Sequence, residues 1–274
     1  MSSMLSPLLY TAAVWWTTTG LILFLNRLPP RTFLPSLAVA SAVMAAALAT
    51  LHATAQTATV SAIYEGFTAT IAVWGWLEMS FLMGFLTGPQ RHACPSGCAG
   101  LPHLGHAISA ILYHEVAILA VAGCVFALTG TGANRVGWET FLVLWAMRQS
   151  AKLNLFLGVP NLGEAYLPRH IRYLASMFRR RPMNLLFPLS VTLGTLACAT
   201  FVRAAATDTT AAAATADTIL ATLTGLGLLE HWFLVLPLRT EKLWQWSLRR
   251  DAAPLPIPSA PAPSLVRQSW DDVA

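Results

Sequence analysis

Charge is what this chain has least of. Only 11% of its 274 residues are Asp, Glu, Lys or Arg, whereas 55% are hydrophobic. A soluble domain carries about 25% charged residues, so a water-surrounded globule with a single buried core is excluded, and lipid must satisfy much of the apolar surface. No internal repeat is evident. The first apolar run has no basic flank before it and no convincing cleavage site, and Arg27 and Arg31 follow it, so it is expected to be a retained helix and not a removed signal peptide. The net charge of +5 does not indicate nucleic acid, because the basic residues sit at the ends of apolar runs, where they act as topology determinants.

What is there is a series of apolar runs of spanning length, about 20 residues each. They fall near Leu8–Leu25, Leu34–Leu51, Phe67–Leu86, Ala107–Leu128, Val136–Leu157, Leu185–Val202 and Ile219–Leu238. The expected fold is therefore all-α, a polytopic bundle of about seven transmembrane helices over residues 1–248, followed by a flexible Pro-rich tail, 249–274. One set of segments holds Arg27, Arg31, Arg91, Arg169, Arg172, Arg179, Arg180, Arg181, Arg239, Lys242, Arg249, Arg250 and Arg267, whereas the other side holds only Arg135 and Arg203. Positive charge stays inside, so the N-terminus is expected outside and the C-terminus in the cytoplasm. The segment Ala204–Thr218, rich in Ala, Thr and Asp, reads as an external loop. Leu167–Phe178, before the Arg179–Arg181 run, reads either as a short interfacial helix or as a solvated basic loop.

Against this scarcity, seven ionisable residues lie within the apolar runs: Glu78, His114, Glu115, Arg148, Lys152, Glu230 and His231. Each costs from about 2.5 kcal/mol upward at membrane depth, so such groups pair with one another or serve a function. At 1.5 Å of rise per residue, Glu78 is expected roughly ten residues from the cytoplasmic end of its span, with the others at compatible heights. Arg148 and Lys152, four apart, share a face and are expected to pair with some of Glu78, Glu115 and Glu230. These groups read either as ion pairs joining helices or as a ligand site, since imidazole and carboxylate bind transition metals and imidazole can ligate the magnesium of a chlorin. His114–Glu115 and Glu230–His231 are adjacent pairs whose side chains diverge by about 100°, and the Glu-x-x-His spacing of di-iron bundles is absent.

Cysteine is also sparse. Cys124 and Cys198 sit in apolar runs and read as packing residues. Cys94-Pro-Ser-Gly-Cys98 lies in an expected cytoplasmic loop, with His92, His103 and His106 around it. A disulfide is disfavoured there. The motif reads either as a tight Pro-Gly turn with incidental thiols or as a Cys/His metal site formed by Cys94, Cys98, His103 and His106, although the spacing is wider than the usual Cys-x-x-Cys.

Several long strings together resemble one family. They are Trp74-Gly-Trp-Leu-Glu-Met-Ser-Phe-Leu-Met-Gly84, Ile111-Leu-Tyr-His-Glu115, Met147-Arg-Gln-Ser-Ala-Lys-Leu-Asn154, Phe156-Leu-Gly-Val-Pro-Asn161, Arg179-Arg-Arg-Pro-Met-Asn-Leu-Leu-Phe-Pro188 and Glu230-His-Trp-Phe-Leu-Val-Leu-Pro237. They resemble the PuhE-like family, the photosynthetic complex assembly proteins 2 of purple bacteria, across Val14 to Trp246. The resemblance implies a multi-pass protein of the bacterial inner, intracytoplasmic membrane. It also implies a role in assembling the photosynthetic reaction centre with its light-harvesting antenna, or in regulating bacteriochlorophyll supply to it. The implied partners are membrane lipid, reaction-centre or antenna subunits and pigment-synthesis enzymes. The implied ligand is transient bacteriochlorophyll, with His114 and His231 the candidate contacts, or a metal ion. Arg169, Arg172, Arg179, Arg180 and Arg181 would form a partner-facing basic loop. No catalytic residue is implied. Two other classes stand beside this reading: a metal-dependent membrane oxidoreductase in tetrapyrrole metabolism, and a pigment or proton transporter. A transporter would favour discontinuous helices at mid-membrane, and no clear mid-span Gly/Pro pair is present.

Overall fold

The computed structural model describes residues 2–95, 97–238 and 240–248; the Pro-rich segment 249–274 lies outside the described residues. Among the described residues, seven long helices follow one another: α1 (Ser2–Leu25), α2 (Phe33–Thr54), α3 (Val60–Leu82), α4 (Gly100–Thr129), α5 (Val136–Leu157), α6 (Leu186–Thr207) and α7 (Ala211–Val235). Short 3-10 turns and a last helical turn, α8 (Gln245–Leu248), complete the fold. Five helices, α1, α2, α4, α6 and α7, are long and apolar enough to cross a membrane. The other two match them in length but carry Glu65 and Glu78 on α3, and Glu139, Arg148 and Lys152 on α5.

The packing puts those polar helices inside. α3 contacts α1, α2, α4, α5 and α7, while α5 contacts α3, α4, α6 and α7. The apolar helices wrap them and turn large side chains outward: Ile108, Leu112, Val116, Leu119 and Phe126 form one exposed stripe on α4, as do Leu189, Leu193 and Leu196 on α6. This is the expected polarity for helices solvated by lipid, which offers no hydrophobic drive between them, so that packing and interhelical hydrogen bonds hold the bundle. Small residues permit the closest approaches. A Cβ on Gly227 of α7 would meet Met147 of α5 at 2.9 Å, and one on Gly137 of α5 would meet Leu51 of α2 at 2.8 Å. Buried threonines return their hydroxyls to their own helix, as Thr70 does to Gly66 and Thr224 to Leu220.

The structure corrects several of the expected element boundaries. Ala204–Thr218 is helical except at residues 208–210: α6 runs to Thr207, and Thr210 caps α7 by accepting from the Ala213 amide. Alanine is the strongest helix former, and here that propensity prevails over the loop-like Thr and Asp content. α4 starts at Gly100, seven residues before the expected Ala107, which places His103 and His106 on its first turns. α3 stops at Leu82 instead of Leu86, just before Gly84 at φ 83°. The Leu167–Phe178 segment, read as either a short helix or a solvated loop, forms a short 3-10 helix, Arg169–Met177; its buried residues Ile171, Leu174 and Met177 recur every third position, the 3-10 period.

The chain after α3 is stitched into α4. The Thr87 carbonyl accepts from the backbone N–H groups of both Tyr113 and His114, and the Gln90 amide donates to the Ser109 carbonyl. Gly88 is what allows this approach, since a Cβ there would lie 1.9 Å from the Ser109 carbonyl oxygen and 2.7 Å from the Ala110 carbonyl carbon, both rigid backbone. Gly88→Ala should therefore destabilise the detergent-solubilised protein by about 1–3 kcal/mol, the usual range for overpacking, and lower its Tm. Gly123→Ala, where the added methyl meets nothing within 4 Å, should leave the Tm unchanged or raise it. A wild-type melt for Gly88→Ala would mean that the loop does not enter the helix.

Candidate functional site

The ionisable residues of the apolar runs gather toward one end of the bundle. Glu78 lies about one turn from the C-terminus of α3, nearer the end than expected because α3 is shorter than its apolar run. Arg148 on α5 donates through Nη2 to Glu78 Oε2 at 2.9 Å. Lys152, one turn further along α5, donates through Nζ to Glu115 Oε1 of α4 at 2.5 Å. Glu115 also accepts from the Gln149 side chain through Oε2. One face of α5 thus carries the cations, and its two neighbours carry one anion each. Glu230 of α7 takes a neutral partner, accepting from the Trp15 indole of α1 at 3.1 Å.

The two histidines differ. In His231, Nδ1 lies 2.8 Å from the Gly227 carbonyl, which can only accept, so this nitrogen carries the proton; Nε2 then accepts from the Ser150 hydroxyl at 2.9 Å. Both ring nitrogens are engaged, which removes His231 as a ligand to a chlorin magnesium in this conformation. His114 is 0% exposed, its ring lies 4.5 Å from that of Phe81, and neither nitrogen has a hydrogen-bond partner among the described residues. The adjacent pairs diverge: Glu115 faces α5 while His114 faces Phe81 of α3, and Glu230 faces α1 while His231 faces α5. These four side chains do not converge on one point.

A second cluster forms at the start of α4. The Nδ1 of His106 lies 3.3 Å from both Cys94 Sγ and Cys98 Sγ, and the Nδ1 of His103 lies 3.3 Å from Cys94 Sγ. The three donor atoms of Cys94, Cys98 and His106 all fall within 4.8 Å of one another, and among the described residues this is the one group of three or more such side chains close enough to share a metal ion. His92 is exposed and is not part of that group. Desolvation, and then the neighbouring Cys98, raise the Cys94 thiol above its ordinary pKa.

The basic segment is built onto the same end. Ile171, Leu174 and Met177 pack with Phe81 and Ala110, leaving Arg169, Arg172, Arg180 and Arg181 exposed and Arg179 half-buried over the Phe156 ring at 5.6 Å. Asn184 anchors the return: its side chain donates to Asn154 and the Gly158 carbonyl, and it accepts from the amides of Leu186 and Phe187 at the start of α6. Sequence reading missed the neutral partners Trp15, Gln149, Ser150 and Asn184. A usable signal existed, because Gln149 and Ser150 lie between the two cations in a run that is otherwise apolar enough to make any polar residue informative.

The family model described as a protein of unknown function, DUF3623, matches residues 1–254. The chain is also 36% identical over 262 residues to an uncharacterized 30.4 kDa protein in the puhA 5' region of Rhodobacter capsulatus, an overlap of 94% of this chain and 96% of that protein. No solved structure matches it.

Removing one member of a buried pair leaves the other charge uncompensated, at a typical cost of about 3–5 kcal/mol. The Lys152–Glu115 pair is partly exposed, with side chains 18% and 25% accessible, so its cost should fall at or below the lower end of that range. Lys152→Met alone should lower accumulation and Tm, and adding Glu115→Gln should recover much of the loss. Independent, additive effects in that double-mutant cycle would show that the pair does not hold α4 to α5.

Proposed function

The chain belongs to the DUF3623 family, and from that premise we propose that it is an inner-membrane assembly factor for the photosynthetic reaction centre and its light-harvesting antenna. It acts as a scaffold and not as a catalyst. The observation that carries this reading is the near full-length similarity to the protein in the puhA 5' region, which agrees with the strings resembling photosynthetic complex assembly proteins.

The geometry supports a scaffold in particular. Arg148, Lys152, Glu78, Glu115 and Glu230 all have partners within the bundle, and His231 uses both ring nitrogens. An oxidoreductase centre built from these groups would need the His and Glu side chains to converge, and they diverge. In this arrangement α3 and α5 also cross the membrane, shielded by the five more apolar helices. The N-terminus lies outside, and the basic 3-10 segment with Arg179–Arg181 faces cytoplasmic partners, as the distribution of Lys and Arg requires. His114 is buried with both ring nitrogens unpartnered among the described residues, and transient contact with the magnesium of bacteriochlorophyll would engage it once the residues 83–90 loop lifts from α4.

A deletion strain should retain the whole pigment pathway but accumulate less core complex. Complementation with a green fluorescent protein fused after Leu248 should restore the complex and fluoresce, since that reporter matures in the cytoplasm. Arrest at a single tetrapyrrole intermediate, which the purified protein then converts, would establish the enzyme reading instead. A dark but complementing fusion would overturn the orientation.

A further inference from the structure

We propose that Cys94, Cys98 and His106, with His103 as the fourth ligand, form a zinc site that fastens the chain after α3 to the beginning of α4. Nothing in the assembly reading requires this site, and it stands on a separate set of residues.

Four observations carry it. First, the donors come from two elements in a way that a chance Pro-Gly turn does not require. Cys94 and Cys98 are supplied by the loop, whereas His103 and His106 are three residues apart and therefore share one face of α4. Second, the spacing suits the ion. Zinc bonds of about 2.3 Å to sulfur and 2.0–2.1 Å to nitrogen give a tetrahedral S···N edge of roughly 3.5 Å. The three S···N separations here are each 3.3 Å. His103 touches the cluster through Cys94 and lies outside the tightest group of three, so its ring must turn toward Cys98 and His106 to complete the tetrahedron. Third, the charges balance: two thiols lose their protons to solvent when the ion binds, and two thiolates with one Zn²⁺ leave a neutral centre, suited to a partly buried position beside a membrane. Soft thiolate and imidazole donors favour zinc over magnesium or calcium.

Fourth, the cluster is already tied to its surroundings. The Cys94 amide donates to the Ser176 hydroxyl of the 3-10 segment at 2.9 Å. The His103 ring stacks on Phe156 with centroids 5.3 Å apart, and the Arg179 guanidinium lies 5.6 Å from the same Phe156 ring. The His103 ring and the Arg179 guanidinium thus share the Phe156 ring, so a bound ion would help fix the position of the basic segment as well as the loop.

The test is metal analysis of the full chain purified in detergent without chelator, followed by Co²⁺ titration of the chelator-treated protein. The expected result is about one zinc per chain, the stoichiometry of a closed four-ligand site, and a thiolate-to-cobalt charge-transfer band with the intense visible transitions of tetrahedral Co²⁺. The Cys94→Ser, Cys98→Ser double variant and His106→Ala should lose both signals, and His103→Ala should weaken binding. His92→Ala should retain wild-type zinc. Wild-type protein that is monodisperse yet purifies without zinc and gives no thiolate–cobalt band overturns the proposal without recourse to any variant. So does zinc that persists in the double Cys variant.

Discussion

A charged side chain taken largely out of water must find its counter-charge inside the protein, and that requirement organises this bundle. α5 carries two cations one turn apart, each only partly exposed. The low-energy solution brings an anion from each of two neighbours, Glu78 from α3 and Glu115 from α4, onto the same face of α5. Once these contacts form, α3 and α5 pack against each other and α7 in the middle of the bundle. The outward apolar stripes of α4 and α6 and the glycine contacts of α5 with α2 and α7 are consistent with that placement.

The paired layer also explains why this end of the bundle is so heavily tied. Lys152 lies close to the C-terminus of α5, so the chain leaving that helix must be held if the ion pair is to keep its geometry. Asn184 does this by bonding Asn154 and Gly158 while capping α6. On the other side, Thr87 and Gln90 join the loop after α3 to the backbone of α4 directly beside His114 and Glu115. The basic segment then packs its every-third apolar residues onto this frame and leaves most of its arginines facing outward. Ion pairs, loop and arginine platform are successive layers of one assembly.

Much of this was legible in sequence because a membrane chain makes its exceptions conspicuous. In a run of apolar residues, Glu78 or Lys152 stands out, and their opposite signs foretell pairing. The proximity of Cys94, Cys98, His103 and His106 could be read for the same reason. Which carboxylate meets which cation could not, since that depends on helix order and rotation: Glu230 went to Trp15 on α1, a contact across more than two hundred positions. The Ala204–Thr218 segment was misread because polar Thr can satisfy its hydroxyl within its own helix, as Thr215 and Thr218 do, and so remain compatible with a span. The stitching of Thr87 into α4 left only Gly88-Pro89 as its trace, a dipeptide that marks a turn but not the helix against which the turn rests.

The central claim is that the charged layer is structural glue whose sign matters only within the pair. Exchanging the partners tests it most directly, by measuring core-complex accumulation in cells that carry Glu78→Arg together with Arg148→Glu. The swapped pair preserves the attraction while inverting each site, so it should restore most of the complex that either single substitution removes. A swapped protein that accumulates normally in the membrane yet supports no core complex would contradict the claim, because these side chains would then be acting on something outside the bundle.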